Sequence, residues 1–110
     1  MQTKKPAPEQ AMPEPRTLAA ICKGLADENR LRLLLAISEE EKTVSRLVEE
    51  LGISQPLVSH HLKELRHAML VSVERRGPFV YCRLADPRIK ELLAAIAVLA
   101  ADLLARRDHW

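Results

Sequence analysis

The stretch from Thr43 to Leu70, TVSRLVEELGISQPLVSHHLKELRHAML, constrains the fold more than any other part of the chain. It holds two short helical patterns with a tight break between them. Leu47, Val48 and Leu51 give the first pattern an apolar face. Gly52 follows at once, where a helix end wants a residue that accepts a left-handed backbone. Ser54 stands at the N-cap of the second pattern, and Pro56 falls in its first turn, where a missing N–H costs little. Two helices joined by a turn of three or four residues containing Gly predict a helix-turn-helix.

The second helix carries the functional argument. At about 100° per residue, Val58, Leu62 and Leu65 fall on one stripe, the core side, and His60 and Lys63 point away from it. Gln55 and Ser59 lie near the N-terminal end, on or beside the open face. A recognition helix sets such residues against base edges in the major groove. Gln pairs bidentately with adenine, Ser donates or accepts, and Lys meets guanine or phosphate. The bland alternative is a solvated surface helix. Turn chemistry, helix lengths and polar face together favour DNA.

Charge adds weak support. The net charge is only +2. From Ser54 to Arg83, however, five bases (Lys63, Arg66, Arg75, Arg76, Arg83) face two acids (Glu64, Glu74). From Ala26 to Ile53, seven acids face four bases. Positive charge gathers in the half that would meet DNA.

The remaining segments predict a mainly α domain. Residues 1–15 hold four of the seven prolines and read as a flexible arm, with Lys4 and Lys5 able to reach along DNA. Residues 16–107 form the folded domain. Arg16–Ala26 is a helix with Leu18, Ile21, Cys22 and Leu25 at helical spacing, weakened near its end by Gly24. Asp27 caps a largely apolar helix over Glu28–Ile37. Ser38–Lys42 reads as a solvated acidic connector without chemistry.

After Leu70 the period changes to two. Val71 and Val73 alternate before Arg76-Gly77-Pro78, and Val80, Cys82 and Leu84 alternate after it, which predicts a β-hairpin. Beside a helix-turn-helix this is a wing, whose Arg75 and Arg76 would enter a minor groove or grip phosphates. Asp86-Pro87 is expected to open the last helix as N-cap and first residue. Within it, Leu92 to Ala101 contains no polar residue. That run is too short for a bilayer, which takes about 20 apolar residues, and too apolar for a helix on a small domain's surface. A second copy of the chain is the simplest cover. With no membrane span or signal peptide read, the expected location is the cytoplasm.

Three segments together, GLADENRLRLLLAI, LVEELGISQPLVSHHLKELRHAMLV and RRGPFVYCRLAD, resemble the ArsR/SmtB family of bacterial winged-helix repressors. The resemblance runs from about Leu18 to Leu104, and SQPLVSHHLKEL is its most specific part. It implies a winged helix-turn-helix of five helices and a two-stranded wing. It also implies a homodimer joined through the first and last helices, at Leu18, Ile21, Leu92, Ile96, Leu99 and Leu103. The implied partner is a double-stranded DNA operator with an inverted repeat, released when an effector binds. By position, Ser54, Gln55, Ser59, His60 and Lys63 become groove contacts, and Arg75 and Arg76 wing contacts.

The chain departs from the family in three places. Thr43, Val44 and Ser45 stand where metal sensors carry Cys-Val-Cys, and hydroxyls replace thiolates poorly toward soft metals. The last helix has Asp86 and Asp102 but no His before His109. Met69 stands where the family often has Gly, so that helix end is expected to differ. His60 and His67 lie about 10 Å apart along their helix, too far to share an ion. His60 therefore reads as a DNA contact and His61 as a packing residue. No metal or cofactor is expected. Cys22 and Cys82 read as small buried hydrophobes; the alternative is that one thiol senses oxidation or that the two form a bridge. The chain offers no nucleophile–base–acid set or phosphate-cradling loop, so an enzyme is not expected. The runner-up is a winged-helix module that binds protein instead of DNA.

Overall fold

A computed structural model describes residues 13–107. The order is α1 (Pro15–Leu25), α2 (Glu28–Glu39), β1 (Lys42–Thr43), α3 (Val44–Leu51), α4 (Gln55–His67), β2 (Val71–Arg76), β3 (Phe79–Leu84) and α5 (Arg88–Arg106). The five expected helices and the hairpin are present. Residues 1–12 of the expected arm, with Lys4 and Lys5, lie outside the described residues, as do His109 and Trp110. Pro15, assigned to that arm from the sequence, is instead the first residue of α1.

Local chemistry sets the helix ends. The Asp27 carboxylate accepts the Arg30 N–H at the start of α2, Thr43 Oγ1 accepts the Arg46 N–H at the start of α3, and Ser54 Oγ accepts the Leu57 N–H at the start of α4. Gly52 ends α3 at φ 68°, in the left-handed region. Two arginines of α2 close neighbouring helices. Arg30 donates to the carbonyls of Gly24 (2.8 Å) and Lys23 (3.0 Å), and Arg32 donates to the Leu51 carbonyl at 2.8 Å. These satisfy acceptors that the ends of α1 and α3 leave open.

Four details differ from expectation. Met69 keeps the left-handed conformation, at φ 62°. The Leu70 N–H reaches the Leu65 carbonyl and the Met69 N–H the Arg66 carbonyl, a Schellman ending that holds Met69 against its steric preference. Gly24 is a close-approach residue: a Cβ there would lie 2.5 Å from Ala68 Cβ, so α1 rests directly on the end of α4. The Ser38–Lys42 connector is not simply solvated. Lys42 is 3% exposed and reaches Glu39 at 3.0 Å and Glu50 at 2.8 Å. Finally, α5 starts at Arg88; Asp86 still accepts the Arg88 N–H, one position displaced from the expected cap.

Lys42 and Thr43 form a short strand, so the sheet has three strands in the order β1-β3-β2, all antiparallel. Gly77 and Pro78 connect β2 to β3, with Gly77 at φ 61° in the position where a tight hairpin wants a left-handed glycine. Leu33 and Leu34 of α2, Leu47 of α3, Val58 and Leu65 of α4, and Cys82 of β3 are fully buried at the centre. α4 is thus seated on the core along one stripe, and its other face is left to solvent.

Candidate nucleic-acid interface

On α4, Val58, Leu62 and Leu65 are buried as predicted. His61 joins them at 6% exposure, with Nδ1 lacking a hydrogen-bond partner and Nε2 3.8 Å from the Asp27 carboxylate. It packs the seat of the helix and cannot meet DNA. Ser54, Gln55, Ser59, His60 and Lys63 are all exposed. Gln55 Nε2 donates to Ser59 Oγ at 2.9 Å, which aligns both side chains along one edge of the helix.

That edge faces the wing. Gln55, Ser59, Lys63 and Arg66 line a shallow groove of about 220 Å³ with Leu62 beneath them and Val73 and Val80 of the hairpin opposite. In the sequence Arg66 is one of five bases between Ser54 and Arg83, with no groove role. Its spacing, three residues after Lys63 and seven after Ser59, was the signal that places it on the same stripe. His60 lies further round the helix, on the side away from the wing.

The two wing arginines are not equivalent, because consecutive strand residues point to opposite faces. Arg75 pairs with Val80 and shares the face of Val73, beside the groove. Arg76 belongs to the outer face, with Glu74, Tyr81 and Arg83. There its guanidinium donates to Glu41, lies 3.3 Å from Glu74 and sits 4.0 Å above the Tyr81 ring. Arg83 completes the cluster, 3.5 Å from Glu41 and 3.4 Å from Glu74. The Arg76 hydrogen bond holds the Glu41 carboxyl below its ordinary pKa and keeps it ionised. Lys63, Arg66 and Arg75 are exposed and enter no ion pair among the described residues. Of the cations on α4 and the wing, the three without an ion pair among the described residues lie in or beside the groove, while Arg76 and Arg83 on the outer wing face are matched by carboxylates.

α5 buries Ile89 and Leu93 but exposes Leu92, Ile96, Leu99 and Leu103. Leu18 is exposed and Ile21 half-buried on α1. The two thiols also differ. Cys22 is exposed, contrary to its reading as a buried hydrophobe; Cys82 is fully buried, and burial pushes its thiol up to about 11. Cys82 is thus a poor oxidation sensor, since the reactive species is the thiolate. Among the described residues no group of three or more His, Cys, Asp or Glu side chains is placed to hold a metal ion. Thr43 and Ser45 offer hydroxyls only, and Thr43 is occupied in capping α3.

Comparison with known proteins agrees with this geometry. The profile of the family described as "Bacterial regulatory protein, arsR family" matches residues 27–73. A relative from Streptomyces lividans, "Probable mercury resistance operon repressor", is 42% identical over 94 residues, which cover 86% of this chain and 75% of the relative. "HTH-type transcriptional repressor SmtB" of Mycobacterium tuberculosis is 36% identical over 97 residues, 84% of this chain and 72% of that one. Among solved structures, M. tuberculosis Rv0081 superposes with a TM-score of 0.79 at 32% identity, covering 86% of this chain and 98% of its own. A Mycobacterium bovis domain described as a homodimeric winged helix-turn-helix DNA-binding domain shares the fold, with a TM-score of 0.75 at 24% identity over 93% of this chain and 92% of its own. The chain belongs to the ArsR family of bacterial regulatory proteins and is a winged helix-turn-helix transcriptional regulator, not an enzyme.

Proposed function

We propose that the chain acts as a homodimeric transcriptional repressor in the cytoplasm, holding a double-stranded operator with an inverted repeat. Residues 16–107 supply both the DNA-reading and the dimer-forming surfaces. Gln55, Ser59 and His60 read base edges, Lys63 meets guanine or phosphate, and Arg66 and Arg75 neutralise phosphates on either side of the groove. Ser54 contributes mainly by fixing the start of the helix that carries them. Leu18, Ile21, Leu92, Ile96, Leu99 and Leu103 form the seam between copies.

One observation carries the reading: the Gln55–Ser59–Lys63–Arg66 stripe opens onto the wing with Arg75 on the same side and, among the described residues, no carboxylate pairing any of the three cations. Such an arrangement gives base readout at the N-terminal end of the helix and phosphate contacts beyond it. No helix is long and apolar enough to cross a membrane among the described residues, so the exposed leucines of α5 need a different cover. The relatives described as repressors and as a homodimeric domain support both halves of the proposal.

The test begins with footprinting of the duplex upstream of the protein's own gene. Gln55→Ala should relax preference at one base position, by roughly 1–3 kcal/mol. Arg75→Ala should weaken all duplexes alike and flatten the dependence on log salt by about one unit per protomer. If both variants bind like the parent, α4 and the wing are not the DNA surface.

A further inference from the structure

The Glu41–Arg76 contact joins residues 35 positions apart in sequence and ties the wing to the segment ahead of the helix-turn-helix. Lys42 pairs with Cys82 and Thr43 with Tyr81, so one step further along the ladder sets Glu41 beside Arg83 on the outer face. That face then holds two arginines, Arg76 and Arg83, and two carboxylates, Glu41 and Glu74, all within ion-pairing distance of one another. Its formal charges cancel. The arginine nearest the hairpin tip, where a wing would meet a phosphate, is already occupied by an internal anion.

We propose that Glu41 competes with DNA phosphate for Arg76 and so sets an upper limit on the affinity of the wing for DNA. The inference rests on the DNA-binding reading above and assigns a role to a residue outside the groove. In the free protein Arg76 lies on Tyr81 between Glu41 and Glu74. On DNA a backbone phosphate would have to displace Glu41 from the guanidinium. Glu41 and Arg76 are both partly open to solvent, so their pairing is weak enough for phosphate to compete with it. The consequence is asymmetric use of the two wing arginines. Arg75 contributes its full charge to binding; Arg76 contributes only what remains after its carboxylates are displaced.

The experiment is a salt titration of binding to a mixed-sequence duplex, where phosphate contacts dominate, with the full chain and Glu41→Gln. The Gln variant keeps the size and a hydrogen-bonding oxygen of Glu41 but not the charge. Its affinity should rise about three- to tenfold, and its log–log salt slope should steepen by about 0.9 per protomer, one phosphate contact. Removing Arg76 (Arg76→Ala) should cost less than about twofold in the parent but clearly more in the Glu41→Gln background; Arg75→Ala should cost the same in both. Unchanged or weakened binding by Glu41→Gln, or equal losses for Arg75→Ala and Arg76→Ala in the parent, overturns the competition. The second comparison holds even if Glu41→Gln does not fold. A parent chain that binds no duplex at any salt would remove the DNA reading itself, a result distinct from either.

Discussion

Helices α4 and α5 are both rich in leucine, yet the fold treats them in opposite ways. α4, 13 residues long, buries Val58, His61, Leu62 and Leu65 and gives solvent a polar edge. α5, 19 residues long, buries only Ile89 and Leu93 and leaves Leu99 53% exposed, with Leu92, Ile96 and Leu103 beside it. The difference separates a finished surface from an unfinished one. α4 owes its position to the chain's own core, so its exposed residues are free to be chosen for recognition. α5 presents more apolar surface than a single copy can cover, which points to association as part of its stability.

The largest effect is expected from breaking α5. Leu99→Asp puts a charge into the proposed seam, where an unpaired buried ion costs roughly 3–5 kcal/mol. Light scattering should then report monomers, and operator affinity should fall by about a hundredfold or more as two half-sites cease to be bound together. A dimer that survives the change would show that the leucine stripe is not the seam, and the contrast with α4 would lose its meaning.

A smaller effect tests how α4 is seated. Gly24→Ala improves helix propensity in α1 by about 1 kcal/mol. Against this, the new Cβ would press on Ala68 at 2.5 Å, backed by Leu70, and overpacking of this kind costs roughly 1–3 kcal/mol. A net loss is expected in urea unfolding, recovered in part by Ala68→Gly in the same chain. A net gain would mean that α1 yields easily and does not brace α4. The smallest expected change is a stabilisation. Met69→Gly removes a side chain from a left-handed residue and should add up to about 1 kcal/mol without altering DNA binding. If stability falls instead, the Met69 side chain has contacts that outweigh its backbone strain.

Features that rest on near neighbours were legible. The Gly52 ending, the caps at Asp27 and Ser54, the buried stripe of α4 and the alternating hairpin each depend on residues within a turn or two of one another. The strand β1 was not legible, because two residues show no alternation and Lys42 looks like a surface cation until Glu39 and Glu50 enclose it. Arg66 carried a readable spacing but needed the wing opposite it to become part of a groove. Gly24 looked like a weak point in a helix; only the approach of α4 makes it a necessity.

By itself, then, the sequence determined the five helices, the caps of α2 and α4, the wing and the residues that α4 shows to solvent, since helix and strand periods and capping are short-range consequences of backbone geometry. The tertiary structure decided which of two adjacent arginines is free. Arg75 and Arg76 are neighbours of one type, and strand alternation says only that they part company. Which face carries Glu41 follows from the register of β1 on β3, a pairing across 38 and 40 positions of chain that no local pattern encodes. Electrostatic partners are chosen by distance in space, and that distance exists only once the sheet has formed.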